Sequence, residues 1–149
     1  MKFTPLHHQG LMIDHLLRND EAAVFAGMGL GKTSAVLTAL NRLFVDGDCK
    51  GVLLVAPLRV SIFTWADEVK KWDDFKWMKV VSLRTPEGLA AWERGDACIY
   101  TINYESLSIP RYKMVDKKVN GNIVKKRVVD RDTGIIERLL KGKRASQLP

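Results

Sequence analysis

Residues 26–33, with the sequence Ala-Gly-Met-Gly-Leu-Gly-Lys-Thr, limit what this chain can be more than any other segment does. They have the spacing of a phosphate-binding loop, with alanine at the first glycine position. Gly29 and Gly31 let the backbone turn its N–H groups inward around an anion. Lys32 can reach terminal phosphates, and Thr33 can offer its hydroxyl to a magnesium ion. The segment predicts a nucleoside triphosphate site.

The residues on either side of the loop favour the same interpretation. Residues 22–26 are a short apolar run, which predicts a buried parallel strand. Residues 34–44 carry apolar side chains at helical spacing, which predicts a helix with its N-terminus at the phosphates. Strand, glycine turn and helix are the context in which this motif binds phosphate. A chance Gly-rich turn ending in Lys-Thr is the weaker explanation, because it leaves these flanks unexplained.

Strand and helix patterns alternate along the first part of the chain, residues 1–109. Apolar runs predict three further strands, at residues 51–56, 79–83 and 98–102. Apolar residues at helical spacing predict helices at residues 5–18, 62–72 and 86–94. This alternation predicts an α/β fold, a parallel sheet with helices on both faces.

The remaining residues, 110–149, form a different region. An Asn120-Gly121 turn signal lies between two basic, β-prone runs and predicts a β-hairpin. A short helical stretch is expected at residues 135–140. The net charge of +7 comes from this region, which has 12 basic and 4 acidic residues against 12 and 13 in residues 1–109. Such a region is either a contact surface for nucleic-acid phosphates or a solvated extension, and composition leaves both open.

Composition excludes several other classes of protein. The chain is 46% hydrophobic and 28% charged, as in a soluble globular domain. No apolar run approaches the roughly 20 residues of a membrane span, and the N-terminus lacks the apolar core of a signal peptide. Cys49 and Cys98 show no metal or redox spacing, so we expect unpaired thiols. These features favour the cytoplasm, including that of a bacterium or a phage-infected host.

Three more segments stand at fixed distances from the loop. Gln9, in Pro-Leu-His-His-Gln, lies 23 residues before Lys32. Residues 53–58, Leu-Leu-Val-Ala-Pro-Leu, are followed by a Trp-x-x-Glu-x-x-x-Trp segment made of Trp65, Glu68 and Trp72. Residues 99–107 read Ile-Tyr-Thr-Ile-Asn-Tyr-Glu-Ser-Leu. In this order and spacing, the segments over residues 3–109 resemble the first motifs of the Swi/Snf family of superfamily-two, helicase-like ATPases.

The resemblance implies a partial RecA-like lobe that binds ATP and Mg²⁺ and contacts duplex DNA. Gln9 would read the adenine edge, and the phosphates and magnesium would be held at Met28, Gly29, Leu30, Gly31, Lys32 and Thr33. The DNA track, largely through phosphates, would include Pro57, Leu58, Arg59, Asn103 and Tyr104. Two departures from the family are Ile102-Asn103 for its Thr-Thr pair and Ala26-Gly27 for its Asp-Glu. Trp65 and Trp72 lie on an apolar helix face, so packing is favoured over base stacking.

The family's hydrolysis machinery continues beyond these motifs. No apolar strand ending in Asp-Glu follows Tyr104, and Val128-Val129-Asp130 is followed by arginine. The missing carboxylates would hold magnesium and orient water, and a second lobe would supply an arginine finger worth roughly 10³–10⁵ in rate. We therefore expect a piece of a longer ATPase that binds ATP without useful turnover and has an open, apolar sheet edge beside the phosphate-loop strand. Residues 110–149 would be a basic insertion between motifs, and its DNA contacts would be Lys117, Lys118, Lys125 and Lys126.

Two other functions remain as alternatives. One is a stand-alone nucleotide- or DNA-binding regulatory module derived from the same family. The other is a small-molecule P-loop kinase, which predicts an arginine-rich lid and an acceptor pocket. Neither feature is evident, and a kinase leaves the Trp-x-x-Glu-x-x-x-Trp segment unexplained.

Overall fold

A computed structural model of the chain describes residues 1–108, 112–119 and 122–129. The fold is α/β, with a small parallel sheet, flanking helices and a separate β-hairpin. In chain order the elements are α1 (His7–Arg18), α2 (Lys32–Asp46), β1 (Val52–Ala56), a π-helical turn (Val60–Thr64), α3 (Trp65–Lys71), β2 (Val80–Ser82), α4 (Pro86–Arg94), β3 (Ile99–Asn103), α5 (Tyr104–Ser108), β4 (Tyr112–Val119) and β5 (Asn122–Val129).

The parallel sheet has the strand order β1-β3-β2, so β3 is its central strand. Val52 pairs with Ile99 and Ala56 with Asn103, while Val80 pairs with Ile99 from the other side. All five residues of β3 are buried, as expected of a parallel strand whose two faces are both covered by other elements.

Side chains of β3 reach the cores on both faces of the sheet. Tyr100 and Ile102 pack with Leu83, Leu89 and Trp92 on the side that α4 covers. Ile99 belongs to the opposite cluster, in which α2 and α3 contribute Leu37 and Val69 and the following loop contributes Phe75 and Met78. Helix α1 packs against α2 through Ile13, Ala35 and Ala39. The first helix is thereby fixed next to the segment that precedes α2.

The predicted strand at residues 22–26 is wrong. These residues adopt no regular secondary structure, and Phe25 is 97% exposed. The described sheet ends at β1, and no described strand pairs with residues 22–26. Without a ladder partner, a short apolar run leaves its backbone groups to water instead of forming a strand.

The other predicted elements are present, with shifted ends. The helix predicted at residues 62–72 starts earlier, as the π-helical turn at Val60–Thr64, and continues as α3. Strands β4 and β5 pair antiparallel, from Tyr112 opposite Val129 to Val119 opposite Asn122, which confirms the hairpin. The turn at residues 120–121 and the helical stretch expected at residues 135–140 lie outside the described residues.

Candidate nucleotide site and nucleic-acid surface

Two glycines of the predicted phosphate loop adopt a backbone conformation that other residues rarely take. Gly29 and Gly31 have φ values of +79° and +70°, in the left-handed region that favours glycine. Helix α2 begins at the next residue, Lys32, and runs for 15 residues. A Cβ built on Gly29 would meet nothing within 4 Å, so this side of the turn is open. The turn-and-helix half of the motif is therefore formed, although its strand is not.

Lys32 lies over the loop rather than pointing away from it. Its Nζ donates hydrogen bonds to the carbonyl oxygens of Ala26, at 2.9 Å, and Gly27, at 2.8 Å. Thr33 is half-buried in the first turn of α2, and the Ser34 hydroxyl donates to the Gly31 carbonyl at 2.9 Å. The Lys32 ammonium and the Thr33 side chain therefore both lie at the N-terminal end of α2.

Gln9 connects α1 to the phosphate loop. Its Oε1 accepts a hydrogen bond from the Leu6 N–H at 2.9 Å, which caps the start of its own helix. Its Nε2 donates to the Leu30 carbonyl at 3.3 Å, and the side chain is 7% exposed. His8 Nε2 lies 3.3 Å from the same Leu30 oxygen. Adenine recognition by Gln9 stays a prediction, but the structure already gives its amide two backbone partners.

The contact between Gln9 and the loop requires glycine at position 31. A Cβ built on Gly31 would lie 2.2 Å from Gln9 Nε2. The glutamine amide therefore occupies the space that any side chain at residue 31 would need. This contact was not predicted from the sequence, and the structure shows it to be with the Leu30–Gly31 backbone.

The second and third motif segments meet at one edge of the sheet. Ala56 pairs with Asn103, so the residues after β1 and the residues after β3 emerge side by side at the carboxyl ends of the strands. Pro57, Leu58 and Arg59 are exposed there. The turn is held by Ser61, whose N–H donates to the Pro57 carbonyl at 2.9 Å and whose hydroxyl donates to the Leu58 carbonyl at 2.8 Å.

Asn103 makes its side-chain hydrogen bonds within the chain, and its contact with DNA stays a prediction. Its side chain is 5% exposed, and its Nδ2 donates to Glu105 Oε2 at 2.6 Å. Its Oδ1 accepts from the Ser106 hydroxyl at 2.5 Å. The Asn103 amide therefore faces the start of α5, whereas Tyr104 is 54% exposed. Asparagine is favoured at the position directly before a helix, and this preference is the sequence signal for a local use of the side chain.

The hydrogen bond from Asn103 also acts on the neighbouring carboxyl. It holds the pKa of Glu105 below its ordinary value, with a smaller contribution from the charge of Arg84. Glu105 is therefore ionised at neutral pH, and its carboxylate accepts the hydrogen bond from Asn103. Glu105 lies in the third motif segment, but its hydrogen bond with Asn103 and the hydrogen bond from Ser106 were not predicted from the sequence.

The Trp-x-x-Glu-x-x-x-Trp segment packs against the core, which confirms the packing prediction. Trp72 Nε1 donates to Glu68 Oε1 at 2.8 Å, and the Trp72 ring meets the edge of Phe3 at a centroid distance of 5.0 Å. Trp65 is partly buried against the cluster that contains Val69. The spacing of the segment is explained by the packing of Trp65 and Trp72 against the same core cluster and by the hydrogen bond from Trp72 to Glu68.

The pairing of β4 with β5 divides the four lysines assigned to DNA. Lys117 is opposite Val124 and Lys126 is opposite Val115, whereas Lys118 is opposite Ile123 and Lys125 is opposite Asp116. Alternate residues of a strand lie on opposite faces, and directly paired residues share a face. Positions 117 and 126 are therefore on one face of the hairpin, and positions 118 and 125 are on the other.

Sequence comparison identifies a phage relative. Over 108 residues, 70% of this chain, the sequence is 42% identical to protein p41 of Acyrthosiphon pisum secondary endosymbiont phage 1. The match covers 24% of that protein, so the chain spans about a quarter of the length of its relative. No family model matches the chain, and no solved structure matches it. None of the helices in the described ranges has the length and apolar character needed to cross a bilayer.

Proposed function

We propose that this chain is the ATP-binding part of a DNA-dependent ATPase, a helicase-like protein or translocase of the Swi/Snf type. One observation carries the proposal: two left-handed glycines, Gly29 and Gly31, lead directly into a 15-residue helix whose first residue is Lys32. That arrangement brings backbone N–H groups, a helix N-terminus and an ammonium to one place, where they suit a chain of phosphates.

The residues present fit a nucleoside triphosphate with magnesium. The N–H groups at the start of α2 and the Lys32 ammonium would hold the phosphates, and the Thr33 hydroxyl would hold the magnesium ion, which would neutralise phosphate charge. Lys32 makes two hydrogen bonds to neutral carbonyls. Phosphate oxygens are stronger partners for an ammonium, because both members of the hydrogen bond are then charged.

The DNA part of the proposal is supported by the edge at which the Pro57 segment and Tyr104 meet. Both are exposed at the carboxyl ends of adjacent strands, where ligands of parallel sheets commonly bind. Contacts there would go to phosphates, which position a duplex without reading its sequence. Similarity to a phage protein favours a role in a phage-infected bacterium.

Hydrolysis needs groups that this part of the chain does not supply. In the described residues, no strand leads into the Asp-Glu pair that would hold magnesium and orient the attacking water. We therefore propose binding without useful turnover for this chain. The remaining groups would come from the rest of the ATPase.

A nucleotide series tests the proposal. Calorimetry with Mg²⁺ should show that ATP binds at least about tenfold more tightly than AMP, because the loop contacts the terminal phosphates. ATP should also bind more tightly than GTP if Gln9 reads adenine. No binding of ATP, or equal affinity for ATP and AMP, would refute the nucleotide site. Substantial duplex-stimulated hydrolysis that Lys32→Ala abolishes would refute the absence of turnover.

A further inference from the structure

The hairpin formed by β4 and β5 has one face that carries lysines and no acidic residue. Its lysine positions are 113, 117 and 126, and each is directly opposite a valine: Val128, Val124 and Val115. Lys126, Val115 and Val128 are exposed. We call positions 113, 117 and 126 with these valines the acid-free face.

The opposite face has as many cations, but it also carries an acid. Its basic positions are 118, 125 and 127, and Asp116 is directly opposite Lys125. Asp116 is also two residues from Lys118 on the same strand and diagonal to Arg127, so it is the same-face neighbour of all three. Met114 and Ile123, which are 61% and 69% exposed, share this face. The acid reduces the attraction of this face for a polyanion.

We propose that the acid-free face of the hairpin is a docking surface for the phosphate backbone of duplex DNA. The proposal rests on the proposed function, because it assigns the partner of the ATPase to one of two hairpin faces. The attraction is electrostatic, and each phosphate that a lysine neutralises releases counterions from the duplex. The opposite face lies away from the DNA.

The geometry of the acid-free face suits a duplex better than a single strand. Positions 113 and 117 are about 13 Å apart along β4, and position 126 is midway between them on the neighbouring strand, about 5 Å to the side. Single-strand binding uses aromatic rings on which bases stack. The only aromatic residue of β4 and β5, Tyr112, is at a position on the other face. Three lysines without a stacking ring favour contact with phosphates of a paired backbone.

A pair of charge-matched variants tests which face binds. One variant carries Lys→Gln substitutions at positions 113, 117 and 126. The other carries Lys118→Gln, Lys125→Gln and Arg127→Gln, which remove the same charge. Fluorescence anisotropy with a labelled 20-base-pair duplex gives the slope of log affinity against log salt. The first variant should reduce the slope by about 2 to 3, because each lost phosphate contact removes about 0.9. The second should change the slope by less than about 1.

The outcomes separate this inference from the proposed function. Equal slope losses in the two variants, or the larger loss in the second, would overturn the choice of face while duplex binding stands. If the unmodified chain shows no salt-dependent duplex binding, the inference and the DNA part of the proposed function both fail. ATP affinity, measured on every variant, reports on the nucleotide site independently.

Single substitutions keep the test usable if a triple variant does not fold. Lys125 and Lys126 are adjacent in the chain and both exposed, but they lie on opposite faces. Lys126→Gln should lower the salt slope by about 0.9, and Lys125→Gln should leave it unchanged. The reverse order, or no effect of Lys126→Gln, would overturn the inference.

Discussion

Replacement of Gly31 by alanine should separate two requirements that the phosphate loop places on this residue. The first is conformational, because Gly31 has a φ of +70°, which an L side chain rarely adopts. The second is spatial, because a Cβ at this position would lie 2.2 Å from Gln9 Nε2. Gln9 would move away and lose its hydrogen bond to the Leu30 carbonyl.

These two requirements have different magnitudes. A left-handed alanine costs roughly 1–2 kcal/mol, and one hydrogen bond to a backbone carbonyl contributes about 1 kcal/mol. Gly31→Ala should therefore lower the free energy of unfolding by about 2–3 kcal/mol. Gly29 provides a matched control, because it has a φ of +79° but open space where its Cβ would lie. Gly29→Ala should cost only the conformational part, about 1–2 kcal/mol.

A double-mutant cycle with Gln9→Ala isolates the spatial part. In chains that already lack the Gln9 amide, the Cβ of Gly31→Ala meets only the Ser34 hydroxyl, at 3.2 Å, which a shift of a few tenths of an ångström relieves. The cost of Gly31→Ala should therefore fall by about 1 kcal/mol, towards that of Gly29→Ala. Urea unfolding followed by tryptophan fluorescence gives each free energy, provided that the slope against urea is unchanged.

Two results would refute this reasoning. In the first, Gly31→Ala lowers the free energy of unfolding by no more than Gly29→Ala does. In the second, the loss in the double variant equals the sum of the losses in Gly31→Ala and Gln9→Ala to within about 0.3 kcal/mol. Either result would show that the contact between Gln9 and the phosphate loop does not stabilise the protein. Gly29→Ala combined with Gln9→Ala should be additive in every case, which checks the cycle itself.

Three further predictions concern the core and the surface. Tyr100→Phe should lower the free energy of unfolding in urea by about 1–3 kcal/mol, because the Ala97 N–H donates to the buried Tyr100 hydroxyl and would lose its partner. An unchanged free energy of unfolding would contradict this. Thr101→Val should be neutral or stabilising by about 1 kcal/mol, because the buried Thr101 hydroxyl has no hydrogen-bond partner among the described residues. A loss above about 1 kcal/mol would count against this prediction. Hydrogen bonds from Lys76 and from the N-terminal ammonium of Met1 lower the pKa of Asp73 from 3.8 to about 2. The stability that they provide is therefore present above about pH 4 and is lost as the pH falls towards about 2. Melting temperatures of the unmodified chain and Asp73→Asn should converge over that range, and a constant difference would contradict the assignment.

Much of the α/β framework is predictable, because it depends on local patterns. Helix α4 begins at Pro86, as a proline at the first turn predicts, and the buried run at residues 98–102 forms the central strand. The hairpin register agrees with the Asn-Gly signal in the sequence, because a two-residue connection predicts that Val119 pairs with Asn122, as the strands do. The division of the lysines between two faces is a direct consequence.

The predictions that were wrong or incomplete depend on partners that a local pattern does not reveal. Residues 22–26 are apolar enough for a strand, but a strand also needs a neighbour with free backbone groups, and the described sheet provides none beside them. Asn103 matches a motif position, yet Glu105 and Ser106 are nearer partners for its amide. Gln9 was expected to read adenine, while its use as a helix cap and its bond to the Leu30 carbonyl were missed because a motif describes ligands and not local hydrogen bonds.

Equilibrium binding of ATP with Mg²⁺ to the unmodified chain, Lys32→Ala and Lys70→Ala is the most direct measurement of the nucleotide site. Lys70 is an exposed lysine of α3 and serves as the charge-matched control. Charge-assisted hydrogen bonds contribute about 1.5–3 kcal/mol, so Lys32→Ala should raise the Kd by about tenfold or more, and Lys70→Ala should leave it unchanged. An unmodified chain that does not bind ATP, or equal affinity in the presence and absence of Lys32, would contradict the proposal that residues 26–33 hold a nucleoside triphosphate.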